Sequence, residues 1–346
     1  MQLVTDYAVP TVLSGYARAA LADFEENAFT LSAWLPSDTV DDLTYSFQKG
    51  GAGLTEAAVF RAYDASSDNG TRVGATRVSG SLPPISRKIP VGEYEKLQQR
   101  AQADRTSDDD VDGVLDDGAR LTREIAARVE LARGDALFNA SVTIAENNVT
   151  ASVDFGRTVG HSVVLDGVTD ALWDDTEDST PFDNLEEWTE IYRETTGELP
   201  AFVMMPERIR RLLQSNAQLC RMSTTDPVPP VMLSEEKLNT LLQEHDLPQI
   251  VTYDARVSFK GVTTRVTPAD KVCFLPAKGD ALGQTLWGTT TEAQDPEYGM
   301  RGSGDEAGVL VANFRTEDPQ TIWTRATAIV LPVVAAPDRT FVAKVI

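Results

Sequence analysis

One long amphipathic stretch limits most strongly what this chain can fold into. Between residues 119 and 138 apolar side chains recur every three or four positions, while Arg120, Glu124 and Arg128 follow one another at intervals of four. The apolar set is Leu121, Ile125, Val129, Ala132 and Ala136. This period predicts a long helix, strongest over 119–138, packed on one side and exposed on the other. Gly113, Gly118 and Gly134 each weaken such a helix by about 1 kcal/mol relative to alanine, so packing must hold it.

The segments before the helix favour extended backbone. Residues 1–48 show weak periodicity and predict an extended arm. Two β-prone runs, 57–63 and 71–78, are separated by a cluster of turn-forming residues, which predicts a hairpin. Prolines at 83, 84 and 90 then break any helix there and favour extended backbone.

After the helix, strand and helix signals alternate. The runs 142–144 and 149–153 predict a second hairpin. Capping residues predict three helices, beginning near Asp183, Pro206 and Ser234, and Gly197 closes the first of them. The β-prone runs between and after them lie at 201–204, 250–253 and 271–275. The turn-rich stretch 288–308 predicts a long mobile loop, while 308–314 and 322–334 are β-rich. The sequence therefore predicts an α+β chain whose apolar end, 335–346, is docked.

Composition narrows the class of protein. The 346 residues carry 42% hydrophobic side chains, enough for a sizeable core, and no apolar run is long enough to cross a bilayer. We expect a soluble chain with no membrane partner. Cys220 and Cys273 lie far apart without metal-ligand spacing, and a net charge of −22 argues against sequence-independent binding to phosphates.

Charge is unevenly distributed along the chain. Residues 71–92 contain Arg72, Arg77, Arg87 and Lys88 and no acid, whereas 165–198 contain twelve acids and one arginine. Opposite charges on separate segments can be complementary within one chain or between neighbouring copies, and a solvated acidic face is the third possibility. The candidate contact residues are Arg72, Arg77, Arg87, Lys88, Asp174, Asp175, Glu186 and Glu187.

A search for catalytic or metal-binding patterns yields one partial match. Asp108, Asp110, Asp112 and Gly113 satisfy the first half of a calcium-binding EF-hand loop, but position twelve, a glutamate in such loops, is Ala119. An acidic helix start that complements the helix dipole explains the same residues. We therefore expect no metal site, with Asp108, Asp110 and Asp112 as the candidate ligands should one exist.

Other chemistry finds no support in the sequence. The two histidines, His161 and His245, lie beside no nucleophile motif, and no glycine-rich phosphate loop occurs. We expect no catalytic residues, no cofactor and no enzymatic activity.

The order of the motifs resembles a known family. Arg128-Val129-Glu130, Asp135-Ala136-Leu137, Val142-Thr143-Ile144 and Val153-Asp154-Phe155-Gly156 form a helix-to-strand passage typical of the lambda-type major capsid protein E family of tailed double-stranded DNA phages. Further similar groups are Trp173-Asp174-Asp175, Leu185-Glu186-Glu187-Trp188, Thr196-Gly197-Glu198-Leu199-Pro200 and Leu331-Pro332-Val333-Val334. Where that family has a glycine soon after the Ala-Leu pair, this chain has Asn139-Ala140, and asparagine also tolerates left-handed backbone.

The resemblance implies a Hong Kong 97-type capsid fold. Its expected parts are an N-terminal arm (1–48), an extended loop hairpin (49–95), a peripheral domain (96–166) with a spine helix (about 108–139), an axial domain (167–307) with a long loop (288–308) pointing to the capsomer axis, returning strands (308–334) and a docked end (335–346). The implied function is a major capsid protein whose hexamers and pentamers form an icosahedral head around DNA. Implied partners are scaffolding, portal and cementing proteins, with assembly in the host cytoplasm and the virion head as location.

Other hypotheses remain open at this point. An encapsulin-type compartment shares the fold but encloses protein, and a metal-dependent hydrolase or a calcium-binding module would use the acidic clusters instead. Some shells of this fold join subunits by a Lys–Asn isopeptide bond, for which Lys88, Asn313 and Glu317 are formally available.

Overall fold

The computed structural model covers most of the chain. It describes residues 2–5, 9–41, 43–49, 60, 63, 76–91, 107–146, 149–224, 226–280, 282–300, 306–318 and 320–346. Side chains are described there except at 2, 46–49, 76–78, 107–112 and 149.

Seven α-helices and seventeen strands make up the described part. The helices are α1 (Pro10–Asn27), α2 (Ser107–Asn139), α3 (Pro181–Thr196), α4 (Glu207–Ser215), α5 (Ala217–Met222), α6 (Glu235–Glu244) and α7 (Thr291–Gln294). The strands are β1 (Gln2–Val4), β2 (Ser37–Val40), β3 (Thr44–Lys49), β4 (Thr76–Ser81), β5 (Pro84–Val91), β6 (Ser141–Glu146), β7 (Val149–Asp154), β8 (Ser162–Val164), β9 (Phe202–Met205), β10 (Gln249–Thr252), β11 (Arg256–Phe259), β12 (Val262–Arg265), β13 (Lys271–Leu275), β14 (Gly283–Gly288), β15 (Leu310–Glu317), β16 (Gln320–Val334) and β17 (Phe341–Lys344).

The predicted long helix is α2, and its apolar stripe is buried as the spacing requires. At about 1.5 Å per residue it is roughly 50 Å long. Leu121, Ile125 and Val129 pack against α1 and the sheet that contains β16. The helix ends at Asn139, and the left-handed residue is Ala140 (φ 50°) rather than the asparagine. Arg157 donates to the carbonyl oxygens of Leu137 and Phe138, which satisfies acceptors that the helix end leaves open.

A six-stranded sheet packs on α2. Its strands follow the order β1-β15-β16-β14-β2, and β5 pairs with β16 over Ile322–Ile329. The long strand β16 pairs with β15 along its first half and with β14 along its second, all antiparallel. One face of this sheet and the buried faces of α1 and α2 form a shared core.

The N-terminal segment differs from the extended arm expected for 1–48. It contains the 18-residue helix α1, which packs against α2 and β15 through Leu13, Ser14 and Ala17. The first two turns of α1 expose Val12 and Tyr16 and bury Leu13 and Ala17. Because apolar residues lie on both faces there, the sequence shows no clear helical period.

A second, five-stranded sheet has the order β10-β9-β13-β17-β8. Helices α3, α4, α5 and α6 bury their apolar faces in one core that includes Phe274 and Phe341 of this sheet. The predicted caps are confirmed for Gly197, which is left-handed after α3, and for Ser234, whose hydroxyl accepts from the N–H of Lys237. Pro206 is the N-cap of α4 rather than its first residue. The docked C-terminal strand β17 lies inside this sheet, and both cysteines are buried and free.

Residues 288–300 do not form the long mobile loop that the glycines and turn formers of 288–308 predict. The Thr290 hydroxyl caps α7, the Asp295 carboxylate caps the 3₁₀ turn Pro296–Tyr298, and Tyr298 packs on Phe314 of β15. Residues 301–305 lie outside the described part. Strand β14 pairs with β16 and α7 packs with residues of β15, so the expected range 167–307 includes parts of both large sheets.

Three two-stranded ribbons complete the architecture. The ribbon β6–β7 confirms the hairpin predicted after α2, and β11–β12 contacts α2 from the other unit. In the third ribbon, β3 pairs with β4 from Thr44↔Ser81 to Lys49↔Thr76. The predicted strand 71–78 thus overlaps β4, whereas most of 57–63 lies outside the described residues.

Candidate functional site

The basic residues of the predicted loop have partners inside the chain where their side chains are described. On β5 the Nε of Arg87 lies 2.5 Å from Oε2 of Glu124 on α2, and the Nζ of Lys88 lies 4.1 Å from the ring centroid of Trp323 on β16. Arg77 lies on β4 with its side chain outside the described set, and Arg72 is outside the described residues. Arg87 and Lys88 therefore hold β5 against its own subunit, although the Arg87 side chain keeps 66% exposure.

The predicted acidic residues are all exposed. Glu186 and Glu187 lie on the solvent side of α3, opposite the buried Leu185 and Trp188. Asp174 and Asp175 precede the helix, where the Asp175 carboxylate accepts from two backbone N–H groups and closes a turn. Within the described part of the chain, no ion pair joins these acids to Arg87 or Lys88, so one subunit does not neutralise its own acidic surface with those residues.

We define the acidic face as the exposed carboxylates of α3. They recur at spacings of three and four along the helix, which puts them on one side. Its members are Asp183, Glu186, Glu187, Glu190 and Glu194.

A basic surface that the sequence analysis missed lies at the edge of the five-stranded sheet. It is an open cleft between α4 and the β11–β12 ribbon, which we call the arginine cleft. It is lined by Glu207, Arg208, Arg211, Leu212, Asp254, Arg256 and Arg265.

Two carboxylates organise this cleft. Glu207 accepts from Arg210 (2.6 Å) and Arg211 (2.9 Å), and Asp254 accepts from Arg256 (2.9 Å) and Arg265. The hydrogen bond from Arg210, followed by that from Arg211, lowers the pKa of Glu207 to about 2, so this carboxylate is ionised at neutral pH. Arginines still outnumber acids, so the cleft is positive in a chain of strongly negative net charge.

The arginine cleft was only partly visible in the sequence. Three arginines in seven residues of α4 could have been noticed as a basic helix. Arg256 and Arg265 are some 50 residues further on and join them only because β10 pairs with β9, which ends where α4 begins. No local spacing rule connects the two segments.

A buried charge network ties the two sheets and α1 to the long helix. Arg133 of α2, 1% exposed, lies 2.5 Å from Glu25 of α1 and 3.3 Å from Glu130, and its Nε donates to the Thr285 hydroxyl of β14. The Glu130 carboxylate accepts from the backbone N–H of Leu31 and from the Tyr253 hydroxyl. Burial raises the pKa of Glu130, while the charge of Arg133 acts in the opposite direction.

The candidate metal ligands lie at the beginning of α2. Its backbone is helical from Ser107, so Asp108, Asp110 and Asp112 occupy helical turns rather than the loop of an EF-hand. Their side chains are outside the described set, so ligation by them stays a hypothesis. Among the side chains that are described, no three metal-ligating groups lie together.

The geometry does not favour the formal isopeptide pair. Asn313 on β15 is fully buried and pairs with Thr324 of β16, whereas Lys88 pairs with the next residue, Arg325. Neighbouring residues of a strand point to opposite faces, so Asn313 and Lys88 lie on opposite sides of the sheet. A fully buried asparagine cannot meet the lysine of another subunit without unfolding β15.

His161 ends a 3₁₀ turn (Val159–His161) beside β8 and is buried. Its Nδ1 lies 3.1 Å from the carbonyl oxygen of Thr340, its ring packs on Tyr192 and Phe341, and its Nε2 meets no hydrogen-bond partner in the described structure. Burial lowers the pKa of His161, and the nearby charges of Asp338 and Arg157 act in opposite directions. The folded chain therefore prefers the neutral ring.

We expect His161 to make folding acid-sensitive. Because its pKa in the folded chain is below its ordinary value of 6.5, its contribution is complete above pH 6.5 and is lost as the pH falls. The loss has a limiting slope of about 1.4 kcal/mol per pH unit. The free energy of unfolding in urea should fall less between pH 7.5 and pH 5.5 for His161→Gln than for the unchanged chain. His245→Gln is the control. Equal losses in all three proteins would contradict the role of His161.

Comparison with known proteins decides the family. The model of the family described as phage major capsid protein E matches residues 37–345. The chain belongs to the phage major capsid protein E family. No curated protein matches the sequence significantly.

Solved structures establish the fold of this capsid protein. A capsid protein of an E. coli CFT073 prophage superposes with a TM-score of 0.63 at 12% identity, over 98% of this chain and 99% of that one. A phage-related protein from Bordetella bronchiseptica RB50 gives 0.62 at 14% identity, over 97% and 96%. The predicted α+β capsid fold is confirmed.

Membership of this family makes the chain a structural protein of the virion head. Such shell proteins assemble into multimeric capsids. None of the helices in the described ranges has the length and apolar character required to cross a bilayer. The acidic face, the arginine cleft and the β3–β4 ribbon are candidate contacts between copies of the capsid protein.

Proposed function

We propose that this capsid protein forms hexamers and pentamers that close into an icosahedral head around double-stranded DNA, assembled in the host cytoplasm. Scaffolding, portal and cementing proteins are the proposed partners. With a net charge of −22, the shell would hold DNA as content rather than bind it as a ligand.

The observation that carries the proposal is the β3–β4 ribbon. Among the described strands, β3 and β4 pair only with each other and join neither large sheet. An isolated two-stranded ribbon is at best marginally stable in water. Tyr45 at the base of the ribbon packs in the core of its own subunit, and a neighbouring subunit would supply packing further along. This supports a role for 49–95 as a loop that reaches over the next copy.

The two large sheets fit the two proposed domains of a shell subunit. The six-stranded sheet with α2 is the proposed peripheral domain, and the five-stranded unit is the proposed axial domain. We assign the axial role to this unit rather than to the whole of 167–307, because β14 and α7 pair and pack with the peripheral strands.

Electron microscopy of the purified protein tests the proposal. Negative-stain images should show closed shells, and shells from infected or expressing cells should protect DNA from nuclease. Shells that contain protein instead of DNA would favour an encapsulin-type compartment. A protein that stays monomeric under all assembly conditions would contradict self-assembly.

Charge reversal in the loop should block assembly without unfolding the subunit. In Arg77→Glu/Arg87→Glu the loop loses two of its four cations, and we expect few or no shells by sedimentation, with a normal circular dichroism spectrum. Arg120→Glu is the matched control, because Arg120 also lies beside Glu124 but on α2. Normal shells from the double variant would exclude the basic loop as an assembly contact.

A further inference from the structure

The acidic face and the arginine cleft lie toward opposite edges of the five-stranded sheet. Helix α3 packs over β13 and β17 through Trp188 and contacts the 3₁₀ turn beside the edge strand β8. Helix α4, which carries half of the cleft, contacts β10, the strand at the other edge. One unit thus has a negative surface toward one side and a positive surface toward the other.

The acidic face is unfavourable for an isolated subunit. Like charges three and four positions apart on a helix destabilise it by a few tenths of a kcal/mol per pair. Glu190 and Glu194 also lie in the C-terminal half of α3, where the helix dipole favours cations. Nearby compensation is small: Arg193 lies 3.7 Å from Glu190, both mostly exposed, and Glu186 and Glu187 have no ion-pair partner among the described residues.

The arginine cleft is built to receive carboxylates. Guanidinium groups present paired N–H donors that match a carboxylate in two parallel hydrogen bonds. Glu207 and Asp254 orient Arg211, Arg256 and Arg265, while Arg208 is exposed and has no acidic partner in the described structure. The orienting acids reduce the side-chain entropy that arginines lose on binding.

From these surfaces we infer that the arginine cleft of one subunit binds the acidic face of α3 on the next subunit of the same capsomer. The inference rests on the proposed function of the chain as a self-assembling shell protein. Two different patches that meet head to tail generate a ring when the rotation closes, and the opposite edges of one sheet provide such a pair. Each copy would then neutralise the excess acid of its neighbour.

Charge swapping tests the contact. Arg208→Glu/Arg211→Glu and Glu186→Arg/Glu187→Arg should each lower the yield of sedimenting shells at least about tenfold at physiological salt, because like charges then meet across the contact. The quadruple variant that combines both pairs restores opposite charges and should recover most of the yield. Lys237→Glu/Arg315→Glu, two exposed cations outside the cleft, is the matched control and should assemble normally.

Several outcomes separate this inference from its alternatives. Thermal unfolding of the isolated variants should resemble that of the unchanged chain, so lost shells reflect lost contacts. Normal shells from both double variants would overturn the contact while leaving the proposed function intact. Normal shells that contain less DNA would also overturn it, because they would assign the cleft to packaged DNA. Equal loss in the control, or no recovery in the quadruple variant, would also overturn it.

Discussion

Replacing Arg133 with methionine is expected to destabilise the capsid protein by about 3–5 kcal/mol, the cost of removing one partner of a buried ion pair. The fully buried Glu130 would lose the cation that offsets its burial, and Glu25 and the Thr285 hydroxyl would each lose a partner. Urea unfolding of the unassembled subunit measures the change.

Two comparisons isolate the network. Arg193→Met removes an exposed arginine from α3 and should change stability by less than about 1 kcal/mol. Glu130→Leu/Arg133→Met removes both charges and should recover part of the loss, because no unpaired charge then remains between them. A loss below about 1 kcal/mol for Arg133→Met would show that the network does not hold the two sheets together.

Replacing Gly134 with alanine is expected to destabilise the fold by about 1–3 kcal/mol, although alanine is the better helix former by about 1 kcal/mol. A Cβ at this position would lie 2.5 Å from the carbonyl oxygen of Val266 and 2.9 Å from its Cγ1. The backbone that follows β12 would have to move away from α2.

The same helix offers a control for that result. A Cβ at Gly118 meets only Val311 Cγ1, at 3.4 Å, which is ordinary contact. Gly118→Ala should therefore stabilise the chain by up to about 1 kcal/mol. Opposite signs for the two variants would show that packing decides at Gly134, whereas stabilisation by both would show that only helix propensity matters.

The two glycines illustrate which features of the fold the sequence could predict: those that depend on local spacing, and not those that depend on distant contacts. Spacing predicted α2 and the buried stripe of Leu121, Ile125 and Val129, because a 3.6-residue period is a local property of the chain. Capping chemistry predicted the end of α3 at Gly197 and the start of α6 at Ser234 for the same reason. Why Gly134 must be a glycine depends on Val266, more than a hundred residues away.

The two candidate contact surfaces, the acidic face and the arginine cleft, also differ in how far the sequence predicts them. The acidic face could be read from the sequence, because its residues are close together on one helix. The arginine cleft could not, because half of it comes from α4 and half from a ribbon that β10 brings alongside. Likewise, the sequence left open whether Arg87 meets its own chain or a neighbour, and only the pairing of β5 with β16 brings it to Glu124 of its own subunit.

By itself the sequence determined the long helix, the α+β class, the acidic surface and the family resemblance, all of which depend on periodicity, composition and the order of short motifs. Only the tertiary structure decided that α1 is a packed helix, that 288–300 packs with the six-stranded sheet and that the arginine cleft exists. The physical reason is that strand pairing between distant segments, such as β14 with β16, sets which side chains meet, and sequence spacing carries no record of that pairing.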